Sequence, residues 1–123
     1  MRLYDILAAL ADHAGPEFAE DGYWDILKFP NGMAICCCAF RITASITNQY
    51  GSDYLYLSDP LNFPTGLFAE IPRAFVNCYT RGAQWAQVQD PTKDTYKVRL
   101  FYPEEYPNAT EWPVSVFAIG RWK

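Results

Sequence analysis

The segment from Ala34 to Thr47 constrains the fold more than any other part of the sequence. Apolar and polar residues alternate along it with a period of two, which is the side-chain period of a β-strand. A strand with one apolar side and one partly polar side is typical of an antiparallel sheet that packs on a core through one face. The side predicted to face the core consists of Ala34, Cys36, Cys38, Phe40, Ile42, Ala44 and Ile46, and the polar positions on the other side are Arg41, Thr43, Ser45 and Thr47.

Short β-periodic segments separated by turn residues account for most of the remaining chain. The Asn31-Gly32 pair after Pro30 is a strong tight-hairpin signal. We therefore predict a mainly β fold, an antiparallel β-sandwich of about seven short strands. Loops are predicted over 59–72 and 103–110. The predicted strands cover residues 24–29, 34–46, 54–57, 71–80, 84–89, 95–102 and 112–122.

One short α-helix is predicted before the sandwich, over residues 1–15. Leu3, Ile6, Leu7 and Leu10 recur at helical spacing, and the Gly15-Pro16 pair ends the pattern. Residues 16–22 are predicted to be a linker, so the sandwich domain would span 23–123. The four apolar residues also have the spacing of a short coiled-coil seam, which predicts a homo-oligomer, most simply a trimer.

Composition and charge exclude several classes of function. The chain has 123 residues, with ten Lys and Arg against fourteen Asp and Glu and a net charge of −4. Basic residues are scattered singly, so no nucleic-acid partner is predicted. No apolar run approaches the roughly 20 residues that cross a bilayer, and the first residues do not form a secretory signal, so no membrane partner is predicted.

Catalytic and metal-binding patterns are weak. His13 is the single histidine, and no nucleophile motif, phosphate-binding loop or dinucleotide fingerprint occurs. We predict no enzyme activity, no cofactor and no metal site. Cys36 and Cys38 are predicted to be apolar core residues, although pairing of either with Cys78 in a disulfide stays open.

Aromatic residues make up 17% of the chain and gather around two predicted loops. Rigid rings beside short polar residues can stack on a sugar ring and bind its hydroxyls. The alternative is that these rings pack the ends of the sandwich or a subunit interface. The predicted ligand-binding residues are Tyr50, Asp53, Tyr54, Tyr106, Asn108 and Trp112.

Three stretches resemble a known family. Residues 24–36, W-D-I-L-K-F-P-N-G-M-A-I-C, are similar to the W-x-x-x-K-W-x-x-G-x-A-x-C opening of the C-terminal domain of tail-fibre and tail-tip (minor structural) proteins from phages and prophages of gut Firmicutes. Residues 118–123, A-I-G-R-W-K, resemble the end of that domain. Between them, Asn62-Phe63-Pro64, Phe68 and Ile71-Pro72 are similar to its F-P-x-x-F…I-P segment. Phe29, Ile35 and Cys37-Cys38 depart from the family pattern.

The resemblance implies a phage tail-associated structural protein, a tail-fibre or receptor-binding head domain that contacts the host surface. It implies a homotrimer, other phage tail proteins and host cell-wall polysaccharide as partners. The implied location is the virion tail after synthesis in the cytoplasm of the bacterial host. The alternative is a stand-alone β-sandwich module that binds a carbohydrate or small ligand.

Overall fold

The computed structural model describes residues 2, 3, 5, 16–79 and 85–123. Within 16–79 and 85–123 the secondary structure is ten antiparallel strands and no helix. The strands are β1 (Glu17–Asp21), β2 (Trp24–Lys28), β3 (Met33–Ile46), β4 (Asn48–Tyr50), β5 (Asp53–Leu57), β6 (Leu61–Asn62), β7 (Arg73–Cys78), β8 (Trp85–Gln89), β9 (Thr95–Tyr102) and β10 (Tyr106–Arg121).

The strands form two sheets. The first sheet has the order β1-β2-β3-β10-β7. In the second sheet β4, β5 and β9 lie side by side, β6 continues along the same side of β9 as β5, and β8 pairs with the opposite side of β9. Ser58 connects the β5 and β6 pairings, because its backbone N–H donates to the Val98 carbonyl at 2.9 Å and its Oγ accepts from the Val98 N–H at 2.8 Å.

The core lies between the two sheets. The inward side of β3 is the side that the alternation predicts, with Cys36, Cys38, Ile42 and Ile46 buried. From the second sheet Tyr96, Val98 and Leu100 enter the same core, as do Trp112, Val114 and Val116 from β10. The prediction of a mainly β antiparallel architecture is confirmed.

The predicted strand count was too low. β1 lies in the segment predicted to be a linker, so the first sheet begins at Glu17 rather than near Trp24. Three of the five residues of β1 are carboxylates, which suit an exposed edge strand and hide its β-pattern. β4, β6 and the first residues of β10 likewise lie outside the predicted strands.

The predicted N-terminal helix over residues 1–15 lies outside the described residues, apart from residues 2, 3 and 5. Of the predicted seam, Leu3 is described and is exposed. Ile6, Leu7 and Leu10 are outside the described residues, so the seam stays a prediction.

The two ends of the resemblance meet in space. The hairpin after β2 closes with the Gly32 N–H donating to the Phe29 carbonyl, as its sequence predicts. The Trp122 indole donates to the Phe29 carbonyl at 2.9 Å, and the Trp122 N–H donates to the Gly32 carbonyl at 2.8 Å. Gly32 has φ +95, and a Cβ there would lie 2.6 Å from the Arg121 guanidinium. These motif residues therefore fix the last strand to the β2–β3 hairpin.

The burial of the cysteines gives a stability prediction. Cys36 is fully buried, whereas its neighbour Cys37 is exposed on the other side of β3. Replacing Cys36 with Ser places a hydroxyl in an apolar core, and we expect the free energy of unfolding to fall by about 1–3 kcal/mol. The matched control Cys37→Ser should change it by less than about 0.5 kcal/mol. Urea denaturation under reducing conditions measures both, and equal stabilities for the two variants would contradict the assigned strand faces.

Candidate functional site

The predicted ligand-binding residues lie at one end of the sandwich. Tyr50 and Asp53 face each other in the register of the β4–β5 hairpin, which turns at Gly51 with φ +64. Tyr50 is exposed and Asp53 is half-buried. Tyr54 is half-buried, packs against the core and lies opposite Tyr102 of β9.

The second predicted group joins the first through Tyr102. The Tyr102 ring contacts those of Tyr106 and Trp112 at centroid distances of 5.4 and 5.9 Å. Trp112 is 3% exposed and donates from its indole to the Ala44 carbonyl at 3.0 Å. Trp112 is therefore a core residue in this chain and offers no free ring face, whereas Asn108 is exposed. The structure brings the two predicted loops together mainly through packing contacts.

A different surface stands out on the first sheet. Its outer side carries a cross-strand row that runs through Phe18, Leu27, Ile35 and Ile119. A second row, displaced by two residues along each strand, runs through Cys37, Phe117 and Phe75. Phe18 is 78% exposed, Phe75 60% and Phe117 41%. We call the surface formed by Phe18, Leu27, Ile35, Cys37, Phe75, Phe117 and Ile119 the apolar face.

One part of the apolar face is packed against a small buried cluster, and the other part is open to solvent. Leu27, Ile35 and Ile119 pack against buried Phe29 and Met33, which form a small cluster separate from the main core. Beside them, the Phe75 and Phe117 rings contact each other at 6.5 Å and help to line a shallow depression that also includes Cys37. Contiguous exposed apolar surface of this kind is typical of a protein interaction site.

Charged residues border the apolar face asymmetrically. On the β1–β2 side, Glu20 and Asp25 continue the row that contains Cys37. On the β7 side, Arg73 continues the row that contains Ile119. One border is therefore acidic and the opposite border carries a cation.

Sequence reasoning missed the apolar face. Phe18, Phe75 and Phe117 come from strands that are far apart in the sequence, and only the sheet register places them on one side of the same sheet, with Phe75 next to Phe117. The sequence of β3 contains one signal of this face. On its outward side, Ile35, Cys37 and Ala39 at the N-terminal end are apolar, whereas Arg41 and Thr43 further along are polar.

The four cysteines lie in different environments, with Cys36, Cys38 and Cys78 buried and Cys37 exposed. Burial, together with the nearby Cys38 and Cys37 thiols, raises the pKa of Cys36 to about 12. Burial likewise raises the pKa of Cys38 to about 12. Cys78 is buried beside Val114 and, like the other three cysteines, is not in a disulfide. Among the described residues, no group of three or more His, Cys, Asp or Glu side chains is placed to hold a metal ion.

No protein-family model matches the chain. No curated protein sequence matches it either. Among solved structures, the chain is similar to an N-truncated R1-type pyocin tail fibre, with a TM-score of 0.57 and 12% sequence identity. The similarity covers 98% of this chain and 97% of the pyocin chain. The chain thus has a tail-fibre-like fold. No helix in the described part of the chain is long and apolar enough to cross a membrane.

The raised thiol pKa values predict a loss of stability at alkaline pH. In the unfolded chain these thiols ionise near their ordinary pKa of 9.0, whereas in the folded chain Cys36 and Cys38 stay protonated up to about pH 12. The folded state therefore binds more protons between these values, and its stability falls as pH rises from 9 toward 12. We expect a shallower fall in a Cys36→Ala/Cys38→Ala variant, measured by urea denaturation from pH 8 to 11 under reducing conditions. Cys37→Ala is the control that keeps both buried thiols. A double variant with the wild-type slope would show that the buried thiols do not contribute.

Proposed function

We propose that the chain is a tail-associated structural protein of a phage or prophage, a tail-fibre or receptor-binding head domain that assembles into a homotrimer. The observation that carries this proposal is the apolar face on a sandwich whose fold is tail-fibre-like over nearly the whole chain. The fold likeness alone does not define a function. The apolar face adds a physical reason for copies of the chain to assemble. The resemblance of the sequence to tail proteins of gut Firmicutes phages and prophages supports a phage or prophage source.

The apolar face suits contact with another copy of the same chain. Phe18, Phe75 and Phe117 expose ring surface to water. Burying that surface between two copies would stabilise the assembly by about 25 cal/mol per Å². The acidic border at Glu20 and Asp25 and the cationic border at Arg73 are complementary to each other, not to themselves. A head-to-tail contact, in which one copy's acidic border meets the next copy's Arg73, closes into a ring under rotational symmetry.

The edge strand β1 favours this mode of assembly over strand addition. Glu17, Glu20 and Asp21 lie on the open edge of the first sheet, where repulsion between carboxylates opposes pairing with a second β1. The copies would therefore meet through the sheet face rather than by extending the sheet.

The proposed role is structural and not enzymatic. In this role the partners are copies of the same chain, other phage tail proteins and a polysaccharide of the host cell wall. The proposed location is the virion tail, after synthesis in the bacterial cytoplasm.

A stand-alone carbohydrate-binding sandwich is the second candidate. The observation that favours it is the exposure of aromatic rings on the second sheet, Tyr50 and Trp85 among them. The two candidates differ in oligomeric state, because a stand-alone module needs no partner on the apolar face.

Replacing Phe75 with Asp tests the proposal. A charge within the apolar face should prevent its burial, and we expect the variant to be monomeric where the wild-type chain is trimeric. Light scattering coupled to size-exclusion chromatography at roughly 10–100 µM protein measures the masses. Tyr50→Asp is the matched control, because Tyr50 and Phe75 are both 60% exposed but lie on different sheets. A monomeric wild-type chain at these concentrations would contradict the proposal and favour the second candidate. A Phe75→Asp variant that stays trimeric would exclude this face as the interface.

A further inference from the structure

The outer side of the second sheet carries an aromatic cluster that the proposed assembly does not use. The Trp85 indole stacks on the Phe101 ring with centroids 5.3 Å apart and planes 11° apart. The Tyr50 ring meets Phe101 edge-on at 6.4 Å. Phe101 is 6% exposed although it is not part of the core between the sheets, whereas Trp85 is 42% exposed. Two partly exposed rings thus flank a covered one.

Polar side chains continue this surface along β8 and β9. Arg99 lies two residues from Phe101 and pairs in register with Gln87. Lys97 and Gln89 form the next pair on the same side. Alternate residues on a strand are about 6.6–6.8 Å apart, so Phe101, Arg99 and Lys97 follow one another at this spacing along one side of β9. We call the surface formed by Tyr50, Trp85, Gln87, Gln89, Lys97, Arg99 and Phe101 the aromatic-basic face.

Two polar atoms on the aromatic-basic face have no hydrogen-bond partner among the described residues. The Arg99 guanidinium carbon lies 5.9 Å from the centre of the Phe101 ring. Its Nε is buried and has no hydrogen-bond partner among the described residues, and the same holds for Oε1 of Gln89. Arg99 also forms no ion pair with any carboxylate that the structure describes. Buried polar groups are nearly always hydrogen-bonded, so these two atoms point to a ligand or ordered water at this face.

The charge of the aromatic-basic face is opposite to that of the whole chain. The chain carries a net charge of −4, yet Lys97 and Arg99 are adjacent outward positions on β9. Carboxylates lie at the two ends of the aromatic-basic face: Asp53 is in register with Tyr50, and Asp90 accepts a hydrogen bond from Nε2 of Gln89 at 3.4 Å. This placement favours an anionic ligand near Arg99 and Lys97.

We propose that the aromatic-basic face binds an anionic saccharide, a pyranose chain that carries carboxylate or phosphate groups. The rings of Trp85 and Tyr50 contact the apolar face of a pyranose. Arg99 and Lys97 bind its anionic group, and the amides of Gln87 and Gln89 bind its hydroxyls. The binding site deepens the proposed function and rests on it for the source of the saccharide, a bacterial surface. The proposed site contains Trp85, which the sequence did not single out. It does not contain Trp112, which was predicted to bind a ligand but is buried.

The test is binding of the full chain to a panel of immobilised polysaccharides. The panel contains polygalacturonate with its methyl ester, phosphomannan with unphosphorylated mannan, and teichoic-acid-bearing and acidic capsular polysaccharides with dextran as the neutral reference. We expect retention on anionic members and loss of retention on the matched neutral ones. The two paired probes distinguish carboxylate from phosphate as the anionic group.

Variants locate the site. Trp85→Ala and Arg99→Gln should each weaken binding about tenfold, because one removes the stacking ring and the other the charge-assisted hydrogen bonds. Trp85→Phe keeps a ring and should retain most of the affinity, which separates loss of stacking from loss of folding. Tyr79→Ala is the matched control, because Tyr79 is 55% exposed, follows the end of β7 and is not part of the aromatic-basic face.

Two outcomes would overturn the inference. One is no retention on any anionic member of the panel. The other is binding that Trp85→Ala and Arg99→Gln leave unchanged. The mass of each variant is measured in the same experiment. A trimeric wild-type chain that binds no anionic member contradicts only the saccharide site, whereas a monomeric wild-type chain that binds contradicts only the proposed assembly.

Discussion

The long antiparallel pairing of β3 with β10 is the constraint on which the rest of the structure depends. It runs from Met33 opposite Arg121 to Ile46 opposite Tyr106, with one irregularity between Tyr106 and Thr110. Because side chains alternate along both strands, this register decides which residues enter the core and which face water. β2 and β7 pair with the free sides of these two strands, and Trp122 fixes the end of β10 to the β2–β3 hairpin.

Alternation made the core predictable where a strand is long and one side is buried. The inward positions of β3 could be read from Cys36, Cys38 and Ile42, because a shift of one residue would bury Arg41 and Thr43. The edge strand β1 could not be read in this way, because its carboxylates face water and carry no apolar period. Pro107 and Asn108 likewise suggested a loop, although they belong to the start of β10.

The candidate surfaces were harder to predict because they depend on register between distant strands. Trp112 was predicted to bind a ligand, yet its indole donates to the Ala44 carbonyl inside the core. Phe75 and Phe117 are 42 positions apart in the sequence but adjacent across β7 and β10. Trp85 and Phe101 meet in the same way across β8 and β9. The two sheets thus expose two chemically different faces on opposite sides of one core, and the proposals assign assembly to one and ligand binding to the other.

Cys37 provides the most direct test of assembly through the apolar face, because it lies within that face and is the one exposed cysteine of the four. The rate at which a thiol reagent modifies Cys37 can be followed while protein concentration is raised from roughly 0.1 to 100 µM, across the range in which weak assemblies form. Burial of the face between copies predicts a rate that falls steeply as the trimer forms and stays high in Phe75→Asp. A Cys37 rate that is independent of protein concentration, in a chain that light scattering shows to be assembled, would contradict assembly through this face.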